Sequence, residues 1–181
     1  LKSVPEQKLT MPYEPQPMMF VAEAIRRVTG LDARIKWPND IYYCDSKIAG
    51  ILIEHHLSGM SISRTIVGIG LNINQYRFVS DAPNPISLRQ VTGEEYDLDA
   101  ILNEVLEATA IRYAQWDTNR EQLQSDYAAV LYRKDGFYAY RDADGEFLAS
   151  IHEVQPDGHL LLRDSEGCVR KYAFKEVAFI L

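Results

Sequence analysis

Three short runs in this 181-residue chain place polar groups inside what otherwise reads as sheet core: "KWPND" at residues 36–40, "SKIAGILIE" at 46–54 and "VGIGLNIN" at 67–74. In the second run, strict alternation puts Lys47, Ala49, Ile51 and Ile53 on one strand face and Ile48, Gly50, Leu52 and Glu54 on the other. A lysine at the start of a strand commonly snorkels at a sheet edge. The same lysine in a partly dry pocket would stabilise a phosphate or a developing oxyanion. Asn39 and Asp40 read as turn formers; Asp40 reads also as a magnesium ligand or an anchor for a ribose or an amine. In the third run Val67, Ile69, Leu71 and Ile73 share a face, opposite Gly68, Gly70, Asn72 and Asn74. Two glycines weaken a strand and mark a close approach, either by a crossing element or by a ligand. Spacing leaves these two readings level. The GIG lacks GxGxxG spacing and opens no helix, so it is not a phosphate cradle. No Ser-His-Asp or Cys-His arrangement is evident, and His55 and His56 read as a strand end.

These groups need a scaffold. Pro5, Pro12, Pro15 and Pro17 predict an extended, irregular entry. "MMFVAEAIRRVTG" then has helical spacing, with Phe20, Ala24 and Val28 on one side, Arg26 and Arg27 outward and Gly30 as the cap. "ARIKW", "IYYCD", "SKIAGILIEHHL" and "SRTIVGIGLNIN" predict four strands, joined by a turn at Pro38-Asn39-Asp40 and another at Ser58-Gly59. Connections this short favour antiparallel neighbours. A loop covers about residues 75–87, and "ISLRQVTG" holds a short helix or a turn. From Asp97 to about Tyr132 the spacing is helical: Leu98, Ile101, Leu102, Val105, Leu106, Tyr113 and Trp116 form one stripe, continued by Leu123, Tyr127 and Leu131. Such a stripe is expected to pack against a sheet. After Lys134 the turn signals "DADG", "PDG" and "DSEG" separate about five short strands, the rhythm of a small SH3-like barrel. Two domains are therefore expected, residues 1–131 and 132–181.

The chain is 46% hydrophobic and 25% charged, with a net charge of −7. That balance suits a folded domain and gives no support to a general nucleic-acid binder. Cys44 and Cys168 lie far apart without metal-ligand spacing, which fits reduced thiols in a cytoplasmic protein. No apolar run is long enough to span a membrane, and residues 1–16 lack the pattern of a secretory signal. The start at Leu1 is read as that of a piece of something longer.

Taken in order, "KWPNDI", "KIAGILIE" and "VGIGLNIN" resemble the motif trio of biotin–protein ligases. Lipoate ligases and octanoyl transferases share that family's fold but not this wording. The resemblance covers about residues 18–181. It implies an α+β fold: a mixed or antiparallel sheet packed by helices, biotin/lipoate ligase-like and incomplete, followed by the SH3-like barrel. The implied reaction is ATP-dependent. Biotin attacks the α-phosphate of Mg-ATP to give biotinyl-adenylate, and a lysine of a biotin carboxyl carrier protein or domain then takes the biotinyl group. Lys47 matches the lysine that contacts biotin and the activated carboxylate or phosphate. Asn39 and Asp40 match positions near ATP, with Asp40 also the candidate for Mg2+, and Asn72 matches the asparagine on the nucleotide side. Gly50, Gly68 and Gly70 would let the ligand lie on the sheet, Lys36 would support the anionic region, and Trp37 is expected to pack. The family's GRGR-type loop and a Ser/Thr-rich strand end have no counterpart in these residues. Little or no activity is therefore expected from the 181-residue chain alone. No helix-turn-helix segment is seen and no DNA partner is expected. The alternative is a non-catalytic interaction module that binds a carrier protein or a partner chain. An unpaired sheet edge would further favour a homodimer.

Overall fold

The computed structural model describes residues 16–59, 61–79, 83–115 and 119–181. The prolines at 5, 12 and 15 and Trp116 lie outside the described residues. Helix α1 (Gln16–Thr29) buries Met18, Met19, Val21, Ala22, Ala24 and Ile25 and leaves Arg26 and Arg27 outside. Pro17 belongs to its first turn and not to an irregular entry, because the missing N–H is one the helix start does not use. Gly30, at φ +71°, ends the helix as expected, and its N–H donates to the Arg26 carbonyl at 2.9 Å.

Strands β1 (Arg34–Lys36), β2 (Asp40–Tyr43), β3 (Ser46–Ser58) and β4 (Ser61–Leu71) form an antiparallel sheet in sequence order. β4 stops at Leu71, three residues short of the expected end at Asn74; beyond it the Asn72 amide donates to the carbonyls of Lys47 and Ile86 and the Asn74 amide to that of Tyr96. The linker closes the β1 edge: the Ile35 N–H donates to the Val130 carbonyl and the Tyr132 N–H to the Ile35 carbonyl, both at 2.8 Å. At the opposite edge, among the described residues, no strand lies beyond β4.

Helix α2 (Leu88–Thr92) starts with a capping box between Ser87 and Gln90, and α3 (Leu98–Gln115) and α4 (Arg120–Ala129) follow. The expected apolar stripe is divided. Ile101, Val105 and Ala108 are buried, α3 packs chiefly on α1, and Leu123, Tyr127 and Leu131 continue the core. Leu98, Leu102, Leu106 and Tyr113 face outward, 53–80% exposed. Two i,i+4 lines of leucine-like residues run side by side on this helix, and only one of them meets α1. α1 is thus the layer on the sheet, and α3 is a second layer behind it.

The second unit is a five-stranded antiparallel sheet of β5 (Tyr138–Asp142), β6 (Gly145–Val154), β7 (Leu160–Asp164), β8 (Val169–Tyr172) and β9 (Ala178–Phe179), in the order β8-β7-β6-β5-β9. The three expected turns are present, at Gly145, Gly158 and Gly167, each with positive φ. β8 and β9 are the ends of the ladder, so the sheet is not closed into a barrel; β9 is only two residues long. Its core comprises Tyr140, Ala149, Leu160, Leu162, Tyr172 and Val177, together with Trp37 from the turn between β1 and β2. Ile151 and Val154 pack against both cores.

Candidate active site

The short hairpin β1–β2 and the long hairpin β3–β4 bring the three motifs into one row. Lys36 pairs with Asp40, Asp40 with Gly50, and Gly50 with Gly70. Lys47 joins this row through an irregularity. The β2–β3 register shifts between Ile41 and Tyr42, so that Ile41 faces Ala49 while Tyr42 faces Lys47 and Ile48 is the extra residue. Ile48, Ala49 and Ile51 are all buried, and Lys47 comes out on the face of Gly50. Alternation placed Lys47 with Ala49 and Ile51, and the bulge overturns that by one residue.

On that face the Lys47 ammonium lies 2.6 Å from Asp40 Oδ1, with the side chains 29% and 20% exposed. Lys47 lies flat across Gly50: a Cβ there would stand 3.0 Å from Nζ and 3.1 Å from Cε. Gly50 therefore has a local reason to be glycine. Gly68 and Gly70 do not, since a Cβ at either would make only ordinary contacts at 3.7 Å or more. Both are exposed, and neighbouring Leu52 is 62% exposed. Among the described residues no helix crosses this face, so the crossing-element reading of the glycines loses its support. An open, flat floor remains.

Cations gather at one end of the row. Lys36 Nζ lies 4.7 Å from the Phe179 ring centroid and 5.2 Å from that of Tyr42. Burial lowers the Lys36 pKa; Asp40 opposes this, and the charges of Lys47 and Arg133 reinforce it. Tyr42 is pushed up to about 12, first by burial and then by the Asp40 charge. Lys47 and Lys36 thus stand beside Asp40, and Arg133 stands near Lys36, in a chain whose net charge is −7. The asparagines face inward to backbone. Asn39 Nδ2 donates to the Ile51 carbonyl at 2.7 Å, and the Ile51 N–H returns a bond to the Asn39 carbonyl at 2.9 Å. Asn72 Nδ2 donates to the carbonyls of Lys47 at 3.3 Å and Ile86 at 3.2 Å. Trp37 is 3% exposed, in the second sheet's core, as its packing role requires.

Tyr42, Asp45, Tyr132, Arg133 and Phe179 also belong to this surface, and sequence reasoning missed them. No local pattern marks them, because Tyr132, Arg133 and Phe179 arrive from the other end of the chain. A cavity of about 610 Å³ lies elsewhere, between α1, α3 and α4, where Arg112 bridges Glu23 and Asp126. A groove of about 370 Å³ runs between the sheets, past Trp37, Asn39, His55 and His159. Neither holds Lys47. Among the described residues no three His, Cys, Asp or Glu side chains group as metal ligands.

Residues 8–74 match the Biotin/lipoate A/B protein ligase family. A biotin--[acetyl-CoA-carboxylase] ligase of Paracoccus denitrificans is 36% identical over 138 residues, covering 74% of this chain and 58% of the relative. The bifunctional ligase/repressor BirA of Bacillus subtilis is 29% identical over 162 residues, covering 84% of this chain and 48% of the relative. The chain thus spans about half the length of the curated relatives it matches. In structure it resembles the Aquifex aeolicus biotin protein ligase in its apo form, with a TM-score of 0.72 at 22% identity over 97% of this chain and 76% of that one. The same protein in complex with biotin and ATP matches with a TM-score of 0.71 at 22% identity, over 96% of this chain and 72% of that one. With its three motifs in order on one sheet, the chain is similar to the biotin/lipoate A/B protein ligase family over residues 8–74 and to biotin–protein ligases over most of its own length.

Proposed function

We propose that this sheet face is the floor of the biotinyl-adenylate site of an ATP-dependent biotin–protein ligase. The observation that carries this reading is the Lys47 ammonium, laid over Gly50 and held by Asp40, at the rim of an open glycine floor. In the first step a biotin carboxylate oxygen bonds to the α-phosphorus of ATP and pyrophosphate leaves. In the second, a lysine amine of a biotin carboxyl carrier domain attacks the acyl carbon and AMP leaves. Charge builds on phosphate oxygens in the first step, and Lys47 is the catalytic cation that meets it, with Lys36 behind. Gly50, Gly68 and Gly70 let the ligand lie against the strands. Asn39 and Asn72 serve the nucleotide side by fixing the backbones of Ile51 and Lys47.

Asp40 fits a magnesium ion poorly: Lys47 already neutralises it, and it is part of no group of three His, Cys, Asp or Glu side chains among the described residues. We assign no step to a metal. The same reading carries a boundary near residues 131–132, an SH3-like relationship for the second unit and a cytoplasmic setting. Among the described residues no helix is long and apolar enough to cross a membrane.

Equilibrium binding of biotinyl-5′-adenylate to the chain, with Lys47→Ala alongside, is the test. The reading expects binding that the substitution weakens, and turnover of biotin and ATP that is slow at best. Equal affinity in the two proteins would remove Lys47 from the site. The 11-residue edge strand β4 favours a second reading, a module that pairs with a carrier or with another copy. A chain that ignores the adenylate and dimerises by light scattering would support that one.

A further inference from the structure

The hairpin that carries Asp40 is too short to hold its own geometry, with strands of three and four residues. It is gripped from the far end of the chain. At its tip, Trp37 sits in the second sheet's core beside Tyr140, Leu160 and Leu162, and its Nε1 donates to the Gly158 carbonyl at 3.0 Å. Along its outer edge runs the linker, bonded on both sides of Ile35. At its far end the Tyr132 hydroxyl donates to Asp45 Oδ1, in the turn two residues before Lys47. The Tyr132 ring also lies 5.3 Å, centroid to centroid, from Tyr42. Both ends of β2 are therefore fixed by groups that have no contact with the Lys47 ammonium itself.

We propose that Trp37 and Tyr132 are positioning residues through which the C-terminal sheet and the linker before it set the separation of Asp40 and Lys47. The two ties differ in kind. Trp37 anchors the tip by burial, so its truncation would damage the core as well. The Tyr132 hydroxyl makes one directed bond, and its loss leaves the ring packing in place. Holding Asp45 fixes the start of β3, and with it the bulge that turns Lys47 toward Gly50. The role rests on the adenylate-site reading above; the mechanical coupling does not.

Amide hydrogen exchange on the whole 181-residue chain separates the two. In Tyr132→Phe, exchange in residues 40–48 is expected to rise by ~10-fold while residues 160–172 keep their rates, the mark of a local opening. Asp45→Ala should do the same, and the double variant should be no faster than either single, because both remove one bond. Trp37→Phe, which loses the N–H bond and part of the buried ring, should raise exchange by ~3-fold at residues 34–40. Affinity for biotinyl-5′-adenylate should fall ~3–10-fold in Tyr132→Phe, about 0.7–1.4 kcal/mol. Unchanged exchange at residues 40–48, or a uniform rise that includes 160–172, overturns the coupling. Adenylate affinity that stays at the wild-type value despite local opening overturns the positioning role. A wild-type chain with no adenylate affinity sinks the site reading and this role together, while the exchange cycle still decides the coupling.

Discussion

On the second sheet, Arg170 stands 3.5 Å from both Asp142 and Asp164, which belong to two different turns, and its guanidinium lies over Phe147. The Tyr172 hydroxyl completes Asp142 at 2.7 Å, and that hydrogen bond leads the effects holding the carboxyl below its usual range. On the first sheet Lys47 meets Asp40, and Lys36 and Arg133 stand close by, with Asp45 as a second carboxylate held by the Tyr132 hydroxyl. The first arrangement is complete: one cation joins two anions and stitches turns together. The second carries a surplus of positive charge above an open glycine floor, which is what an anionic ligand requires. Ion pairing by itself does not distinguish a structural site from a functional one. The charge balance and the space above it do.

Substituting the residue shared by both regions should have the largest effect. Trp37→Ala empties a site in the second core and releases the hairpin tip, so a loss of ~3–5 kcal/mol is expected in urea denaturation. A loss below ~1 kcal/mol would mean that the two regions are only loosely joined.

Next come substitutions that should divide binding from stability. Lys47→Ala should cost ~10–100-fold in biotinyl-5′-adenylate affinity, the scale of a hydrogen bond to a charged group, with unfolding altered by less than ~1 kcal/mol. Gly50→Ala should follow it, because the new methyl displaces the flexible end of Lys47 rather than any backbone. Arg170→Met should do the reverse, lowering the urea midpoint and leaving adenylate affinity within about twofold. If Arg170→Met weakened the ligand as much as Lys47→Ala, the contrast between the sheets would collapse.

Much of this contrast was legible in the residues, and the failures have specific causes. Pro38-Asn39-Asp40 and the glycine-ended turns are local chemistry, so four strands and then five could be read in order. Lys47's face could not, because a bulge shifts the side of every residue beyond it without changing composition. The α3 stripe divided because Leu98, Leu102 and Leu106 have the same spacing as the buried line, and only the position of α1 selects between them. Phe179 and Tyr132 reached this surface unannounced because their partners Lys36, Tyr42 and Asp45 lie about half the chain or more away in sequence. Asn39 and Asn72 were legible as polar members of the three motifs but not in the backbone carbonyls their amides hold.

The smallest expected effect is the pH dependence, and it also divides by sheet. In the second sheet's β6–β7 turn, burial pulls the Asp157 carboxyl upward, but bonds from Lys171 and His159 outweigh it and hold the group at about 2, below its ordinary 3.8. A carboxyl depressed on folding adds stability that is complete above the ordinary value and disappears as pH falls from about 4 toward 2. In the first sheet, burial lowers the Lys36 pKa below its ordinary 10.5, so between the two values the unfolded chain binds more protons. Stability from this group therefore rises with pH in the alkaline range and is absent at neutrality. Urea midpoints taken across pH should show a shallower acid slope in Asp157→Asn and a changed alkaline slope in Lys36→Met, with Asp142 and Tyr42 supplying the remainder. Each variant should keep the slope that belongs to the other sheet. An acid slope unchanged in Asp157→Asn would assign it to carboxylates elsewhere. An alkaline slope unchanged in Lys36→Met would mean that Phe179 and Tyr42 leave the ammonium fully solvated, and the cation surplus would then be a surface feature rather than part of a partly dry site.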